Sequence, residues 1–284
     1  MVYEDWHTHN EGCKHAKGKI EEYVNAAIKF KLRTIGLSDH FPYEFLEDIE
    51  RIPYEEYAIT LPEIEKYLTT SENLREKHEE DIIIRIGFEI DYFKNQESAL
   101  NTHLTPIKKR LDFILGSIHI LNFFNGKGAW GFDDSRFRND YEYYGVDKVY
   151  MFYYQSLQKM VKSEKFDFDI LAHFDLPKKF NDIPTDKEVV YNEMMKTLEQ
   201  VKNRDFTMEI NTGGLRKDCK EQYPSEEIIR EMYSLDIPVL LGSDAHKPGD
   251  VGWNFKKTIK MLKKIGYNKL AHYTRRKRNF IEIE

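Results

Sequence analysis

The stretch DIIIRIGFEID, residues 81–91, is a nearly continuous run of apolar and β-branched residues that ends in two carboxylates. Such a run is typical of a strand that is buried on both faces, as in a parallel sheet. The carboxylates at its end are Glu89 and Asp91. Six further apolar runs also stop at a polar cluster, and they are residues 2–6, RTIGLSDH (33–40), FILGSIH (113–119), FDILAH (168–173), TMEINTGG (207–214) and PVLLGSDAH (238–246).

Helical patterns separate most of these runs. KIEEYVNAAIKF, residues 19–30, has one apolar face, and SEEIIREMYSLD, residues 225–236, begins with Ser225 as a candidate N-cap. Alternating strands and helices predict a TIM-like βα barrel, one unit short of eight. An open doubly wound sheet is the alternative, but no Gly-rich nucleotide turn follows the first run. No repeat or linker divides the chain, so we expect residues 1–284 to form a single domain.

The composition argues against several classes of function. The chain has 284 residues with 43 lysines and arginines and 49 aspartates and glutamates, and its net charge of −6 disfavours general affinity for nucleic acid. It has neither an apolar run long enough for a membrane span nor a secretion signal at its start. Cys13 and Cys219 are too few for a disulfide framework, so we expect a cytoplasmic protein. We interpret the basic run at 275–278 as a solvated approach to a final strand.

Histidines and acidic residues gather at the predicted strand ends. Residues two apart in a strand point the same way, so His7 and His9 can hold one ion together. Imidazole and carboxylate ligands suit zinc, manganese or iron, whereas calcium requires oxygen ligands. The ligands outnumber those one ion needs, so two or three divalent ions are expected, with Glu89 suited to bridging. The candidate ligands are His7, His9, His15, His40, Glu89, His119, His173, Asp244 and His246.

Each candidate ligand also has a plain structural interpretation. A lone histidine at a strand end is more often a hydrogen-bonded structural residue than a metal ligand. A lone glutamate in an apolar strand, such as Glu89, is costly to bury unless it is paired or bound to metal. The metal interpretation is favoured because all the candidates fall at the carboxyl ends of the strands, where barrel enzymes build their sites. We interpret Cys13 as an inert thiol, and His78, His103 and His272 as ordinary surface residues.

A centre of this kind would be strongly positive. Several divalent ions bring more positive charge than the carboxylates of Glu89 and Asp244 can offset. We therefore expect a phosphate dianion as the ligand. Arg216 follows the run TMEINTGG, and its guanidinium could make two parallel hydrogen bonds to phosphate oxygens. Lys178 and Lys179, just beyond the run FDILAH, are further candidate phosphate contacts. Each of these cations could instead be a solvated loop residue.

These motifs together resemble the PHP (polymerase and histidinol phosphatase) superfamily of metal-dependent phosphoesterases. The resemblance rests on HTH, SDH, GFEID, GSIH, AHFD and GSDAH, and it runs from Asp5 to about Phe280. EINTGGLRK, LGSDAHKPGDVG, HFDLPKKF and the WGFDD loop are most similar to the histidinol-phosphatase branch. The resemblance implies a distorted seven-stranded (β/α)7 barrel, with a trinuclear centre at the C-terminal ends of the strands.

The resemblance also implies how the ions and the phosphate are held. The first ion would take His7, His9, Glu89 and Asp244, the second Glu89, His119 and His173, and the third His15, His40 and His246. Arg216 and Lys179 would bind the phosphate. The sequence departs from the family in the insertion NFFNGKGA before Trp130.

The expected function is hydrolysis of L-histidinol phosphate to L-histidinol and phosphate in histidine biosynthesis, by a metal-bridged hydroxide that attacks phosphorus. Asp244 would orient the hydroxide and pass a proton to the alkoxide, while Arg216 would offset phosphoryl charge. Asp133, in a candidate lid at 121–137, would meet the amino group or imidazole of the substrate. Alternatives are another phosphoesterase of the superfamily that acts on nucleotides, nucleic-acid ends or phosphotyrosine, an amidohydrolase, and a non-catalytic protein that stores metal or binds an anion. The metal identity and the oligomeric state are left open.

Overall fold

The computed structural model of the chain describes residues 3–47, 49–123 and 128–283. The strands are β1 (Glu4–Asp5), β2 (Thr34–Leu37), β3 (Ile83–Asp91), β4 (Phe113–Ser117), β5 (Ile120–Phe123), β6 (Gly128–Gly131), β7 (Ile170–Leu171), β8 (Thr207–Asn211), β9 (Val239–Gly242), β10 (Lys269–Thr274) and β11 (Lys277–Glu282). The α-helices are α1 (Ile20–Lys29), α2 (Glu63–Lys77), α3 (Glu97–Leu104), α4 (Asn139–Tyr144), α5 (Val146–Lys162), α6 (Lys187–Asn203), α7 (Glu226–Ser234) and α8 (Phe255–Ile265).

Seven strands form a parallel sheet in the order β1-β2-β3-β4-β7-β8-β9. The two edges of the sheet meet, because the N–H of Trp6, just after β1, donates to the carbonyl of Leu241 in β9 at 3.0 Å. The N–H of His9 donates to the carbonyl of Ala245 at 2.9 Å, immediately beyond β9. The predicted distorted seven-stranded (β/α)7 barrel is therefore confirmed.

The alternation of side chains along β3 decides which residues face the barrel interior. Phe88 points outward, where its ring lies 4.7 Å from the ring of Tyr67 on α2. Glu89 and Asp91 are on the opposite face, because successive residues of a strand point to opposite sides. Both are buried. The run that predicts the strand thus also places its two carboxylates inside the barrel mouth.

The strands β10 and β11 form an antiparallel hairpin that packs against side chains in the barrel interior. The ring of Tyr273 lies 6.2 Å from that of Trp6, within a buried cluster that also contains residues of β4, β7 and β9. The interpretation of His272 as a surface residue was wrong: it is buried, with its Nδ1 2.9 Å from Glu4 Oε2. The burial depends on contacts between the two ends of the chain, which a local pattern does not reveal.

The basic run at 275–278 leads into the last strand, as the sequence predicts: Arg275 and Arg276 form the turn of this hairpin, and Lys277 and Arg278 begin β11. Arg275 and Lys277 are exposed, whereas Arg276 is partly buried. Arg276 Nη2 lies 2.9 Å from Asp167 Oδ1, and Arg276 Nε contacts the carboxylate of Asp169. These acidic residues precede β7 in the chain. Ion pairs therefore attach the hairpin to the barrel through Arg276.

The helices surround the barrel as the patterns predict. Ser225 caps α7, since its side chain accepts a hydrogen bond from the N–H of Ile228 at 3.3 Å. His78, at the end of α2, and His103, on α3, are partly exposed and lie away from the barrel mouth. In the ranges that the structure describes, we find no helix with the length and apolar character to span a bilayer.

The candidate lid at 121–137 contains the antiparallel hairpin β5–β6. Trp130 is buried, and its ring stacks on that of Tyr144 with the centroids 5.6 Å apart. Asp133 follows the hairpin and lines a cavity at the barrel mouth. Residues 124–127, which carry part of the lid prediction, lie outside the described residues.

Candidate metal centre

The structure brings all the candidate ligands together at the C-terminal end of the barrel. Glu89 lies on β3, and the other ligands lie in the loops that follow β1, β2, β4, β7 and β9. The solvent exposure of these ligands varies: His7, His9 and Glu89 are buried, whereas His15 is exposed at the rim of the barrel mouth. Residues distant in the sequence thus converge on one place.

One carboxylate oxygen of Glu89 faces three imidazoles. Glu89 Oε2 lies 3.2 Å from His7 Nε2, 3.4 Å from His9 Nε2 and 3.2 Å from His40 Nδ1. This oxygen is buried and has no hydrogen bond among the described residues. Because an ionised oxygen that is buried without a hydrogen bond is costly, the arrangement fits a bound cation.

The other oxygen of Glu89 faces two further histidines. Glu89 Oε1 lies 2.7 Å from His173 Nε2 and 3.6 Å from His119 Nε2. One ligand atom from each of these residues lies within 4.8 Å of the others, which is compact enough to hold an ion. The two oxygens therefore point to different groups of imidazoles, as a bridging carboxylate would.

A third group lies toward the rim. Ligand atoms of His9, His40 and His246 lie within 4.8 Å of one another, and His246 Nε2 is 3.0 Å from His15 Nε2. Asp244 Oδ1 lies 3.2 Å from His9 Nε2 and 3.3 Å from His246 Nδ1. His9 thus touches the group that the resemblance assigns to a third ion, and the division of ligands among ions stays a prediction.

The electrostatics of the cluster favour positive charge. Burial lowers the pKa of His40 and His246 well below the usual histidine value, so both offer neutral nitrogen ligands. Burial alone would also lower the pKa of His119, but the carboxylates of Asp91 and Glu89 raise it to about 10. Burial opposes ionisation of Glu89, yet the surrounding histidines hold its pKa well below its usual range. The negative charge that attracts protons here would equally attract divalent ions.

Carboxylates behind the cluster form hydrogen bonds with two of the histidines and lie near a third. Glu209 Oε1 lies 2.7 Å from His7 Nδ1, and Asp91 Oδ2 lies 2.9 Å from His119 Nδ1. Asp39 Oδ1 lies 3.5 Å from His9 Nδ1, which has no hydrogen bond among the described residues. A carboxylate on one ring nitrogen fixes the tautomer and leaves the other nitrogen free to bind metal.

Glu209 is a further candidate site residue, which was not predicted from the sequence. It is fully buried on β8 and also accepts from the N–H of His173 at 3.0 Å. Gly242 on β9 makes room for it, since a Cβ there would lie 1.8 Å from Glu209 Oε1 and 2.7 Å from His7 Cβ. The signal was present, because a lone glutamate within the apolar run TMEIN is as costly to bury as the one in GFEID.

Replacing Glu209 by glutamine is expected to weaken metal binding or activity about 10- to 100-fold. The neutral amide cannot accept the proton of His7 Nδ1 as strongly, so His7 Nε2 becomes a weaker and less oriented ligand. Metal titration of the purified protein and steady-state hydrolysis would measure the effect. Glu193→Gln is a matched control, since Glu193 is also buried but bonds to Gln158 on the outer side of the barrel. Equal metal affinity in the two variants would contradict the assigned role.

A cavity of about 620 Å³ opens above the cluster. Its lining includes Glu89 and Asp244 from the cluster, together with Lys179, Lys217 and Asp133. Lys217, the last residue of EINTGGLRK, was not among the predicted site residues. Both charge signs are thus present around a space large enough for a small metabolite.

Arg216 points toward the Asp244 backbone. Its Nη2 donates to the carbonyls of Ser243 at 2.7 Å and Asp244 at 2.9 Å, and its Nε lies 3.2 Å from Asp250 Oδ2. Asp244 has a φ of 51°, a left-handed conformation that needs such support in a non-glycine residue. In the described part of the chain, Arg216 is not among the residues that line the cavity. Its contact with phosphate stays a prediction.

Cys13 is buried behind the cluster, and its Sγ donates to the carbonyl of Asn10 at 3.1 Å. A ligand atom of Cys13 lies within 4.8 Å of His9 and Asp39, which is a second possible grouping around His9. Burial and the nearby charge of Asp39 raise the pKa of the Cys13 thiol well above its ordinary value. The surroundings thus favour the neutral thiol, in agreement with the interpretation of Cys13 as inert.

Fold and site together define a class of protein, the βα barrels with a histidine-rich metal-binding centre at the C-terminal ends of their strands. The family model of the PHP domain matches residues 5–213. A Deinococcus radiodurans protein named "Probable histidinol-phosphatase" is 30% identical over 262 residues, which are 92% of this chain and 93% of the relative. The chain therefore belongs to the PHP family.

Other relatives cover the chain equally well. The histidinol-phosphatase of Bacillus subtilis is 24% identical over 90% of this chain and 98% of its own. The crystal structure of a candidate histidinol phosphatase, HisK, from Listeria monocytogenes has a TM-score of 0.82 and 26% identity over 89% of this chain and 99% of its own. The Lactococcus lactis histidinol phosphate phosphatase, crystallised with zinc, L-histidinol and phosphate, shares the fold with a TM-score of 0.76 and 19% identity over 98% of both chains.

Proposed function

We propose that this protein is a histidinol-phosphatase, which hydrolyses L-histidinol phosphate to L-histidinol and phosphate in histidine biosynthesis. The observation that carries the proposal is the cluster of imidazoles around Glu89, one of whose buried oxygens has no hydrogen bond among the described residues. Such a centre suits divalent ions and an anionic substrate. The names of the D. radiodurans and B. subtilis relatives support this particular ester.

The proposed cofactors are three divalent transition-metal ions, and zinc, the metal of the L. lactis complex, supports that choice of chemistry. When bound, the ions would supply positive charge for the phosphoryl oxygens and lower the pKa of water for attack on phosphorus. The proposed ligand groups are His7, His9, Glu89 and Asp244 for the first ion, Glu89, His119 and His173 for the second, and His15, His40 and His246 for the third.

Asp244 is the proposed proton carrier. Its carboxylate lines the cavity. Burial disfavours its charge, but His7 and His9 hold the pKa of Asp244 well below its usual range. An ionised Asp244 can orient the attacking water by accepting a hydrogen bond from it, take up the proton that this water loses, and pass the same proton to the departing alkoxide, so that the alcohol leaves neutral.

The ion pair between Lys179 and Asp133 is proposed to recognise the charges of the substrate. Lys179 Nζ lies 2.9 Å from Asp133 Oδ2, and both residues line the cavity. Burial opposes ionisation of Asp133, but Lys179 and His119 lower its pKa to about 2. Histidinol phosphate carries a phosphate dianion and an ammonium group. It can therefore replace the internal pair, with phosphate on Lys179 and ammonium on Asp133.

Substrate comparison tests this proposal. We expect metal-loaded protein to hydrolyse histidinol phosphate with a higher kcat/KM than 3-(imidazol-4-yl)propyl phosphate, which lacks the amine. Asp133→Asn should lower kcat/KM for histidinol phosphate about 10- to 100-fold and change it little for the ester without an amine, because only the charged contact is lost. Steady-state kinetics on protein of measured metal content would check both results.

Asp218→Asn is the control for this comparison, since Asp218 is exposed and should not affect the discrimination. A strong preference for nucleotides, nucleic-acid ends or phosphotyrosine would contradict the substrate and favour another phosphoesterase. Metal-loaded protein without activity on any phosphate ester would contradict the enzyme assignment. We also propose a cytoplasmic location, which the free thiols of Cys13 and Cys219 support.

A further inference from the structure

We propose that Lys217 binds the phosphate group of the substrate, an inference that rests on the proposed phosphatase function. Lys217 lines the cavity together with Glu89 and Asp244. It is partly buried. Among residues 3–47, 49–123 and 128–283, its ammonium has neither an ion pair nor a hydrogen bond.

The other cations that line the cavity already have partners. Lys179 is paired with Asp133 at 2.9 Å. Arg136 Nη2 lies 2.7 Å from Asp134 Oδ2. Lys217 is thus the cavity-lining cation, within the described residues, whose donors are available to an anion without breaking an existing ion pair.

Neighbouring basic residues outside the cavity lining are also engaged. Lys178 Nζ lies 2.8 Å from both Asp175 Oδ2 and Glu221 Oε2. Arg216 donates through Nη2 to the carbonyls of Ser243 and Asp244, and its buried Nη1 has no hydrogen bond among the described residues. Several basic residues follow β7 and β8 near the site. In the part of the chain described, Lys217 is the one of them that lines the cavity with an ammonium group free of ion pairs and hydrogen bonds.

The local backbone holds Lys217 close to the cluster. It follows the 3-10 segment Thr212–Arg216, directly beyond β8, and its N–H donates to the carbonyl of Gly214 at 2.9 Å. The preceding residue, Arg216, attaches this segment to the loop after β9 through Ser243 and Asp244. Lys217 is therefore carried on a segment that is fixed at both ends.

The charge around Lys217 suits an anionic ligand. A partly buried ammonium without a counter-ion is unfavourable, and a phosphate dianion would supply the missing charge. Burial and the charge of Lys179 lower the pKa of Lys217, while Asp244 and Asp133 oppose this shift. An anion that contacts both lysines would relieve their mutual repulsion.

The test measures binding of inorganic phosphate to metal-loaded protein by calorimetry, and KM for histidinol phosphate by steady-state kinetics. Lys217→Met should weaken phosphate binding and raise KM about 10- to 100-fold, as expected for loss of one hydrogen bond to a charged group, with unchanged metal content. Lys217→Arg keeps the charge and should restore most of the binding. Lys220→Met, an exposed neighbour, is the matched control and should behave as the unaltered protein.

Phosphate affinity and KM that are unchanged in Lys217→Met would overturn this inference and leave the phosphatase proposal standing. Equal losses in Lys217→Met and Lys217→Arg, with lowered Tm in both, would also overturn it, because they would indicate a packing role. Unaltered metal-loaded protein that neither binds phosphate nor hydrolyses any phosphomonoester would instead contradict the proposed function itself.

Discussion

Glu89→Gln protein is expected to hydrolyse histidinol phosphate at least about 1000-fold more slowly and to bind fewer metal ions. Substitution of a residue that only orients a ligand costs about 10- to 100-fold in affinity or activity, and Glu89 contacts ligands of two groups directly. Its Oε1 faces His173 at 2.7 Å, and its Oε2 faces His7 at 3.2 Å. A neutral amide cannot balance the charge of ions on both sides.

Metal content and kcat/KM, measured on the same preparation, would check this prediction. Glu193→Gln again provides the control, because it changes a buried glutamate that contacts Gln158 and none of the candidate ligands. Thermal unfolding should show that Glu89→Gln protein is folded. Full metal content with normal turnover would contradict the central position that the structure gives to Glu89.

The barrel and most of its metal centre could be predicted from the sequence because each strand carries its own signal. The apolar run at 81–91 predicts a buried strand, and its polar end predicts a residue at the barrel mouth. His119 and His173 follow in the same way from the ends of their runs. Parallel strands bring their carboxyl ends to one edge, so a local pattern is sufficient to predict a long-range cluster.

Other features depend on contacts that no local pattern carries. His272 is buried because the last hairpin packs against Glu4, near the opposite end of the chain. Arg276 belongs to a polar run, yet it pairs with acidic residues that precede β7. Such pairs form only when the barrel has folded, so the local sequence pattern does not predict them.

The orientation of the charged residues around the cavity also depends on contacts that the local sequence does not predict. Arg216 and Lys217 are adjacent in EINTGGLRK, and a sequence motif favours the guanidinium as the phosphate contact. In the structure, Arg216 bonds to the carbonyl of Asp244, while Lys217 lines the cavity. The direction of a side chain in a loop is set by the partners it finds, which spacing does not predict.

Removal of the metal ions with a chelator is expected to abolish hydrolysis and to lower Tm. Without ions, imidazoles and carboxylates remain crowded, with His7 Nε2 3.0 Å from His9 Nε2 and His246 Nε2 3.0 Å from His15 Nε2. An ion present at about 100 to 1000 times its dissociation constant stabilises the folded state by about 2.7 to 4.1 kcal/mol. For a chain of this size, each kcal/mol corresponds to about 2–4 °C in Tm, so several ions should shift it by roughly 10 °C or more.

Differential scanning calorimetry and hydrolysis assays, before and after chelation and again after zinc or manganese is restored, would test this expectation. Glu89→Gln protein is the matched control, because a chain with a weakened centre has less metal-dependent stability to lose. Its Tm should therefore fall less than that of the unaltered protein. Activity that survives complete removal of metal would contradict the metal-dependent mechanism, and an equal fall in Tm in both proteins would place the bound ions away from Glu89.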